Sequence, residues 1–398
     1  MSKQLQDAYL VCAARTPVAR RNGAFRHARP DDLLAHALRA LMARAPGLDP
    51  ADIGDVIVGC AMPEAEQGMN VARIGLLLAG LPARVPGLTI NRFCASGLQA
   101  VADAAARIRL GEADVMVAAG VESMTVMAQM MGNKISANPA VIASDEHRAI
   151  AWGMGLTAER VAERWRVGRE DQDAFALESH RRAIAAIDAG AFADEIAPVA
   201  VASWRPGADG VVARAETLVA TDEGPRRDID LDKLGKLRPV FAAGGSVTAG
   251  NASQMSDGAA AVLLMSEAGL RRSGLAPVAR FAGYAVAGVA PEVMGIGPVE
   301  AIPRALAQAG WTQDSLDWIE LNEAFAAQAI AVQRTLGLDA ARVNPLGGAI
   351  ALGHPLGATG AIRTATLLGA MQRGEATRGM VTMCIGTGMG AAGVFEKV

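Results

Sequence analysis

Leu88-Thr89-Ile90-Asn91-Arg92-Phe93-Cys94-Ala95-Ser96-Gly97 runs from a short β-type triplet into a long alanine-rich stretch, with a cysteine at the changeover. A strand feeding straight into a helix is the building unit of α/β folds. The helix is expected to begin near Ala95, which puts Cys94 at its start. Helix N-termini carry unpaired N–H groups and a partial positive charge. Both favour a thiolate, the nucleophilic form of cysteine, over a thiol. Working outward, the same alternation recurs. Residues 8–13, 55–59 and 115–119 read as strands, and 31–43 and 70–78 as helices. Continuous apolar strands between amphipathic helices predict a sheet covered on both faces.

The texture changes from about Ser123 to Asn251. Methionine-rich stretches, Pro139, charged helices over 157–165 and 169–189, and a Pro/Gly/Asp-rich stretch over 203–230 replace the regular alternation. Long irregular excursions in compact domains tend to be functional, so this segment is expected to be an insertion covering a site. Buried-strand texture resumes at 257–265. The last third alternates again, with strands at 278–287 and 318–321 and helices at 299–309 and 324–336. There is an internal echo: Ile108-Arg109-Leu110-Gly111-Glu112-Ala113 precedes the strand at Val115, and Met371-Gln372-Arg373-Gly374-Glu375-Ala376 precedes a strand at 380–383. Each follows an Ala/Gly-rich helix that starts beside a candidate catalytic residue. Two similar halves packed together are therefore expected.

With 398 residues, 51% hydrophobic and 20% charged, the chain can form two or three cores. A formal net charge of -3 gives no electrostatic case for nucleic acid or an anionic membrane surface. No apolar run approaches the roughly 20 residues of a membrane span. The opening Met-Ser-Lys-Gln-Leu-Gln-Asp reads as no secretory signal, and the closing Phe-Glu-Lys-Val as no peroxisomal address. Cys12, Cys60, Cys94 and Cys384 are far apart with no CxxC pair. That argues against a disulfide scaffold and against zinc, and fits a reducing, cytoplasmic setting. Glycine, at 44 residues, falls inside apolar stretches such as 116–120 and 384–393, as tight strand-to-helix turns require, rather than in linker-like composition.

Four segments carry the chemistry. Cys94 is followed by small residues that let a substrate approach, whereas Cys12 in an apolar strand and Cys60 at a strand end read as structural. His354 lies in the glycine-rich run Gly347–Gly360 and can deprotonate a cysteine; as a loop histidine it could equally cap a helix. His27, His36, His147 and His180 lie in polar or helical surroundings and are expected to face solvent. Cys384 precedes Ile385-Gly386-Thr387-Gly388-Met389-Gly390, where glycines can free N–H groups for an oxyanion or serve close packing. The same loop half-matches a dinucleotide motif, but too little chain comes after it for the βαβ unit that motif needs. Asn322, after a strand, can hold a water or a carbonyl oxygen, or cap a helix.

Together the Cys94 segment, Asn322-Glu323-Ala324-Phe325, Gly353-His354-Pro355 and Cys384-Ile385-Gly386 resemble the thiolase family. The resemblance extends to 68–78, 154–162, 237–241 with 248–253, and 293–298, essentially the whole chain. The run Glu66–Arg73 is most similar to the degradative 3-ketoacyl branch of the family. The resemblance implies a fold, an activity and a set of roles. The fold is the thiolase α/β fold, two similar halves in a five-layer αβαβα core with an inserted loop domain. The halves are 1–122 continued by 252–274, and 275–398, with the loop domain over 123–251 covering the coenzyme A site. The implied activity is thiolytic cleavage of 3-ketoacyl-CoA by CoA in fatty-acid β-oxidation. The alternative is acetyl-CoA C-acetyltransferase, which forms or cleaves acetoacetyl-CoA. By resemblance, Cys94 is the acylated nucleophile, His354 its base, and Cys384 the second acid and base. His354 with a water on Asn322 holds the enolate oxygen, and the N–H groups of Cys94 and Gly386 the tetrahedral oxyanion. Ser253 and Arg226 contact CoA, and Met154, Phe241, Met294 and Phe325 wall the pocket. No bound cofactor and no metal are implied, CoA being a co-substrate; a homodimer or homotetramer is. Two departures stand out. Gly153 occupies a position where acetoacetyl-dedicated members usually have histidine, and Thr387 and Met389 sit in a loop where Gly and Gln are commoner.

Overall fold

The computed structural model describes residues 5–129, 138–145, 147–206 and 211–398. Residues 1–4 and part of the irregular middle segment lie outside that description. The strands are β1 (Tyr9–Arg15), β2 (Ala19–Arg20), β3 (Val56–Gly59), β4 (Gly87–Ile90), β5 (Val115–Ser123), β6 (Val199–Pro206), β7 (Val212–Val219), β8 (Ser256–Met265), β9 (Ala279–Gly288), β10 (Trp318–Leu321), β11 (Arg378–Ile385) and β12 (Met389–Lys397).

The two expected halves are visible in the strand order. One half reads β4-β3-β5-β8-β1 and the other β10-β11-β12-β9, joined where β1 meets β9. Their directions match as well. β3 is parallel to β4 and β5, as β10 is to β11; β8 is antiparallel to β5 and β1, as β12 is to β11 and β9. A single parallel bridge from Ile319 to Val343 stands where β4 would fall in the second half. The strand pairing between the two halves runs through Tyr9–Arg280 and Leu10–Ala279, so the join is a short seam between two sheets.

Side-chain alternation then sorts the layers. Val115, Val117, Ala119 and Val121 of β5 pack with Leu34, Leu38 and Leu76 of helices Pro30–Ala43 and Val71–Leu78. Met116 and Ala118 face the other way, onto helices Ser96–Arg109 and Leu356–Arg373. Those two helices also take up Val381, Met383 and Ile385 of β11. Met380 of β11, with Ile319 and Leu321 of β10, faces helices Gly297–Ala309 and Ala326–Leu336. The result is helix, sheet, paired central helices, sheet, helix. The apolar strand runs are continuous because both faces of each sheet are covered.

The central pair positions the chemistry. A Cβ added at Gly97 would lie 2.7 Å from the Ala361 nitrogen, and one at Gly360 would lie 2.1 Å from the Leu98 nitrogen. The first turns of the two helices therefore cross backbone to backbone, which side chains larger than glycine would forbid. Cys94 sits two residues before one helix and His354 two residues before the other. The crossing brings these pseudo-equivalent positions to one end of the central layer.

The helix starts at Ser96, next to the expected Ala95, directly after a 3-10 segment Phe93–Ala95 that carries the cysteine. One local expectation differs. The 203–230 stretch is not wholly irregular, since β6 and β7 form a hairpin there, with Trp204 paired to Arg214. Among the described residues no helix is long and apolar enough to cross a membrane.

Candidate active site

Cys94 is held on a strained turn. Phe93 has a φ of 45°, a left-handed conformation that L residues rarely adopt. The Asn91 side chain accepts the Phe93 N–H at 2.8 Å. Ser96 Oγ accepts the Arg92 N–H at 2.8 Å and donates to the Phe93 carbonyl at 2.7 Å. The N–H groups of Gly386 and of Cys94 itself reach the sulfur, yet burial outweighs them and pushes the thiol up to about 11. The buried Glu122 carboxylate acts in the same direction. This corrects the expectation of a resting thiolate: desolvation of the charged form exceeds what a helix start supplies. Inactivation by iodoacetamide is therefore expected to rise about tenfold per pH unit from about pH 7 to 10 without a plateau. A plateau near pH 7 in that rate profile would show a preformed ion pair instead.

Cys384 is the penultimate residue of β11, fully buried. Burial, and then the neighbouring Cys94, hold its thiol far above the usual range. Cys384 pairs with Gly390 and Ile385 with Met389, so Gly386-Thr387-Gly388 is a tight hairpin turn rather than a phosphate loop. Gly388 (φ 95°) is obligatory there, since a Cβ would meet the Val289 carbonyl at 2.4 Å. Thr387 nevertheless takes a φ of 73°, strained for a β-branched residue.

His354 follows Gly353, whose φ of 93° turns the chain inward. The His354 N–H donates to the Gln254 carbonyl and to Ser256 Oγ. Its Nδ1 lies 2.6 Å from Thr359 Oγ1, and its Nε2 lies 3.3 Å from Asn322 Nδ2. Burial, helped by the Arg363 guanidinium, lowers its pKa to about 3. The ring is neutral at rest and available as a base. Asn322 donates its backbone N–H to the Thr382 carbonyl, which sets it beside the strand carrying Cys384. The Asn322 Oδ1 atom is buried with no hydrogen-bond partner among the described residues. Asn322 is not a helix cap; the helix after it begins at Ala326.

Two carboxylates that sequence reasoning passes over hold this arrangement. Glu323 accepts from Ser179 Oγ at 2.6 Å, Asn344 Nδ2 at 2.8 Å and the Ile350 N–H at 3.2 Å. It clamps the glycine-rich approach to His354, where a Cβ at Gly348 would strike it. Glu122 accepts N–H groups from Ala61 at 2.8 Å and Gly357 at 2.9 Å, and the Gln67 amide at 2.5 Å. It therefore ties one half to the first turn of the other half's central helix. The available signal is a glutamate inside or directly after an apolar strand, which has to be paired when buried.

Met294, Ala324, Phe325 and Cys384 form one buried cluster, with Met154 packed against it. Phe241 meets Phe325 edge to face at 6.0 Å, and its ring lies over Gly155, where a Cβ would be 2.1 Å away. Ser253 donates its N–H to the Ala324 carbonyl. Arg226 stands apart, lining a cavity of about 190 Å³ with His180, Lys233, Leu237, Gly250 and Gln254. That cavity adjoins the site through Gln254, whose carbonyl accepts the His354 N–H. His180 corrects its expected solvent position. It is buried, Nδ1 accepts the Arg226 N–H at 3.1 Å, and burial lowers its pKa to about 4. His36 is likewise half-buried, against the carbonyls of Ala197 and Pro198. His27 and His147 are exposed as expected, and Cys60 is buried.

Two family models match the chain: thiolase, N-terminal domain, over residues 8–268, and thiolase, C-terminal domain, over residues 275–397. A 3-ketoacyl-CoA thiolase of Bacillus subtilis (strain 168) is 50% identical, covering 98% of this chain and 100% of the relative. A beta-ketoadipyl-CoA thiolase of Pseudomonas aeruginosa is 44% identical, over 99% of this chain and 100% of the relative. The crystal structure of the Bacillus anthracis acetyl-CoA acetyltransferase superposes with a TM-score of 0.89 at 37% identity, covering 100% of both chains.

Proposed function

The chain belongs to the thiolase family, and from that premise we propose that it cleaves 3-ketoacyl-CoA with CoA, giving acetyl-CoA and a shortened acyl-CoA through an acyl-cysteine. The observation that carries the reading is the convergence of two thiols, a neutral imidazole and a buried amide at one end of the central helices. Two thiols suit a reaction in which one is acylated while the other moves protons.

His354 Nε2 takes the Cys94 proton as the sulfur attacks the 3-keto carbon. The N–H groups of Cys94 and Gly386, already directed at the sulfur, are placed to receive the oxyanion. The C2–C3 bond then breaks, and its electron pair becomes the acetyl-CoA enolate. Protonated His354 and Asn322 hold the enolate oxygen, and the Cys384 thiol protonates C2. The Cys384 thiolate next takes the proton of incoming CoA, whose sulfur attacks the acyl-cysteine. Cys94 leaves and recovers its proton from His354. Both cysteines rest as thiols, so no charge waits in the dry pocket, and proton transfer is coupled to attack. Asn322→Ala is expected to lower kcat by roughly 10²–10³, as loss of one oxyanion donor does, with KM changed far less. A kcat within about twofold of wild type would remove Asn322 from the enolate site.

The cavity at Arg226 and Lys233 is the proposed seat of the CoA nucleotide, and Ser253, next in sequence to the lining residue Gln254, is the proposed contact for the rest of CoA. CoA is thus a co-substrate, and no bound cofactor or metal enters these steps. Residues 123–251 form the proposed covering domain, with halves 1–122 plus 252–274 and 275–398. The proposed setting is cytoplasmic. A homodimer, or a dimer of dimers, is supported by the open edge at β4 and by Met69, which is 92% exposed.

The similar proteins act, by name, on different acyl groups, so chain length is the deciding test. Gly153 is exposed and carries no side chain that could close the space beside Met154, which favours chains longer than acetoacetyl. Thiolysis is to be measured with 3-ketoacyl-CoAs from acetoacetyl to long chain. Turnover rising with length supports the degradative reading. Activity confined to acetoacetyl-CoA supports the acetyltransferase alternative, and none with any chain rejects both.

A further inference from the structure

We propose that Thr359 is a positioning residue that holds His354 in the tautomer with its proton on Nδ1 and its lone pair on Nε2. The inference rests on the role given to His354 above and deepens it. Thr359 is 1% exposed, on the first turns of the central helix Leu356–Arg373. Its Oγ1 lies 2.6 Å from His354 Nδ1 and 3.1 Å from the Pro355 carbonyl oxygen. A hydroxyl has one hydrogen and can accept from a second donor. If that hydrogen goes to Pro355, the oxygen is left to accept from Nδ1–H. Nε2 is then bare and faces Asn322 Nδ2, which can donate to it. In the reverse arrangement the hydroxyl donates to Nδ1, Nε2 carries the hydrogen, and Asn322 must turn its oxygen inward. That ring cannot accept the Cys94 proton at Nε2.

The first arrangement serves both stages of the reaction. While His354 is neutral, Thr359 keeps the basic nitrogen on the side of Asn322. When the ring is protonated, the Nδ1–H still has an acceptor inside a buried pocket, and unpartnered buried donors are costly. In metal sites, the partners that fix a histidine tautomer in this way are worth about 10–100-fold, which sets the scale expected here. The helix supplies the geometry. Thr359 lies four residues after Pro355, where threonine hydroxyls bond back to the i−4 carbonyl, and that bond aims the oxygen at the ring.

Two measurements test this on the full-length protein with Thr359→Val and Thr359→Ser. The first is long-range ¹H–¹⁵N spectroscopy of protein labelled with ¹⁵N histidine, with His354→Asn used for assignment. The expected wild-type spectrum shows a protonated Nδ1 and a bare Nε2 for His354, and Thr359→Val shows the other tautomer populated. A wild-type Nε2–H tautomer overturns the proposal. This readout needs no substrate, so it stands apart from any failure of the thiolysis reading. The second is steady-state thiolysis, with thermal unfolding as a folding control. Thr359→Val is expected to lose about 10–100-fold in kcat with KM within about threefold, and Thr359→Ser to regain most of it. A folded Thr359→Val enzyme with wild-type kcat, or a serine variant as slow as valine, also overturns it.

Discussion

Thiolysis is expected to fall by on the order of 10⁴-fold or more when Cys94 is replaced by alanine, because the covalent route disappears with the nucleophile. The backbone contacts that shape the site survive this change. Phe93 stays on its strained turn through Asn91 and Ser96, and Gly386 stays in its hairpin. The variant should therefore unfold at a temperature close to wild type and lose the acyl-enzyme, a mass increment on the tryptic peptide containing residue 94. Burst kinetics and mass spectrometry after mixing with substrate read this directly. An acyl adduct on Cys384 in the variant, with thiolysis retained, would transfer the nucleophile role to that residue. Burial disfavours that outcome, since Cys384 is fully enclosed whereas Cys94 keeps partial exposure.

The second large effect is on stability. Arg15 of β1 is 2% exposed and pairs with Glu195 at 2.6 Å and with both Asp222 oxygens at 2.7 and 3.0 Å. Its guanidinium also lies over the Phe192 ring at 5.3 Å. Glu195 accepts from Thr366 of the central helix, and Asp222 accepts the Val18 N–H. One cation therefore fastens two points of the segment 123–251 to the first sheet and the central layer. Arg15→Met would leave two buried carboxylates without a counter-charge, which typically costs about 3–5 kcal/mol. Denaturant unfolding is expected to show that loss. Arg15→Met combined with Glu195→Gln and Asp222→Asn should recover part of it, because no buried charge then remains unpaired. A midpoint for Arg15→Met equal to wild type would mean that water reaches these carboxylates and that the latch is not a dry one.

Much of the site is legible in the sequence because the chemistry demands particular residue types at chain landmarks. A cysteine at a strand-to-helix turn, a histidine after glycine and before proline, a second cysteine at a strand end and an Asn-Glu pair after a strand can each be found in one dimension. The repeated Gly-Glu-Ala triplets at 111–113 and 374–376 mark two halves, and the mirrored strand order of β4-β3-β5-β8-β1 and β9-β12-β11-β10 corresponds to them. His180 escapes a one-dimensional reading because its helix has a polar composition. Its neighbours along the chain do not disclose that residues 224–254 pack across it. Glu122 and Glu323 escape it because a carboxylate's value depends on which N–H groups converge on it, and those come from residues up to 235 positions away.

The sequence by itself determined which groups are candidates for the chemistry, where strands and helices alternate and that the chain repeats, since residue type and periodicity are local properties. The tertiary structure alone decided their states and their meeting. Gly97 and Gly360 let two helices cross closely enough to bring Cys94 and His354 to one end of the core. Burial, which no local window reports, overrode the helix start at Cys94 and kept the thiol protonated. Thr359 became the partner of His354 only because one helical turn aims its hydroxyl back at the ring. Long-range desolvation and hydrogen bonding are sums over neighbours that folding assembles, which is why they appear only in three dimensions.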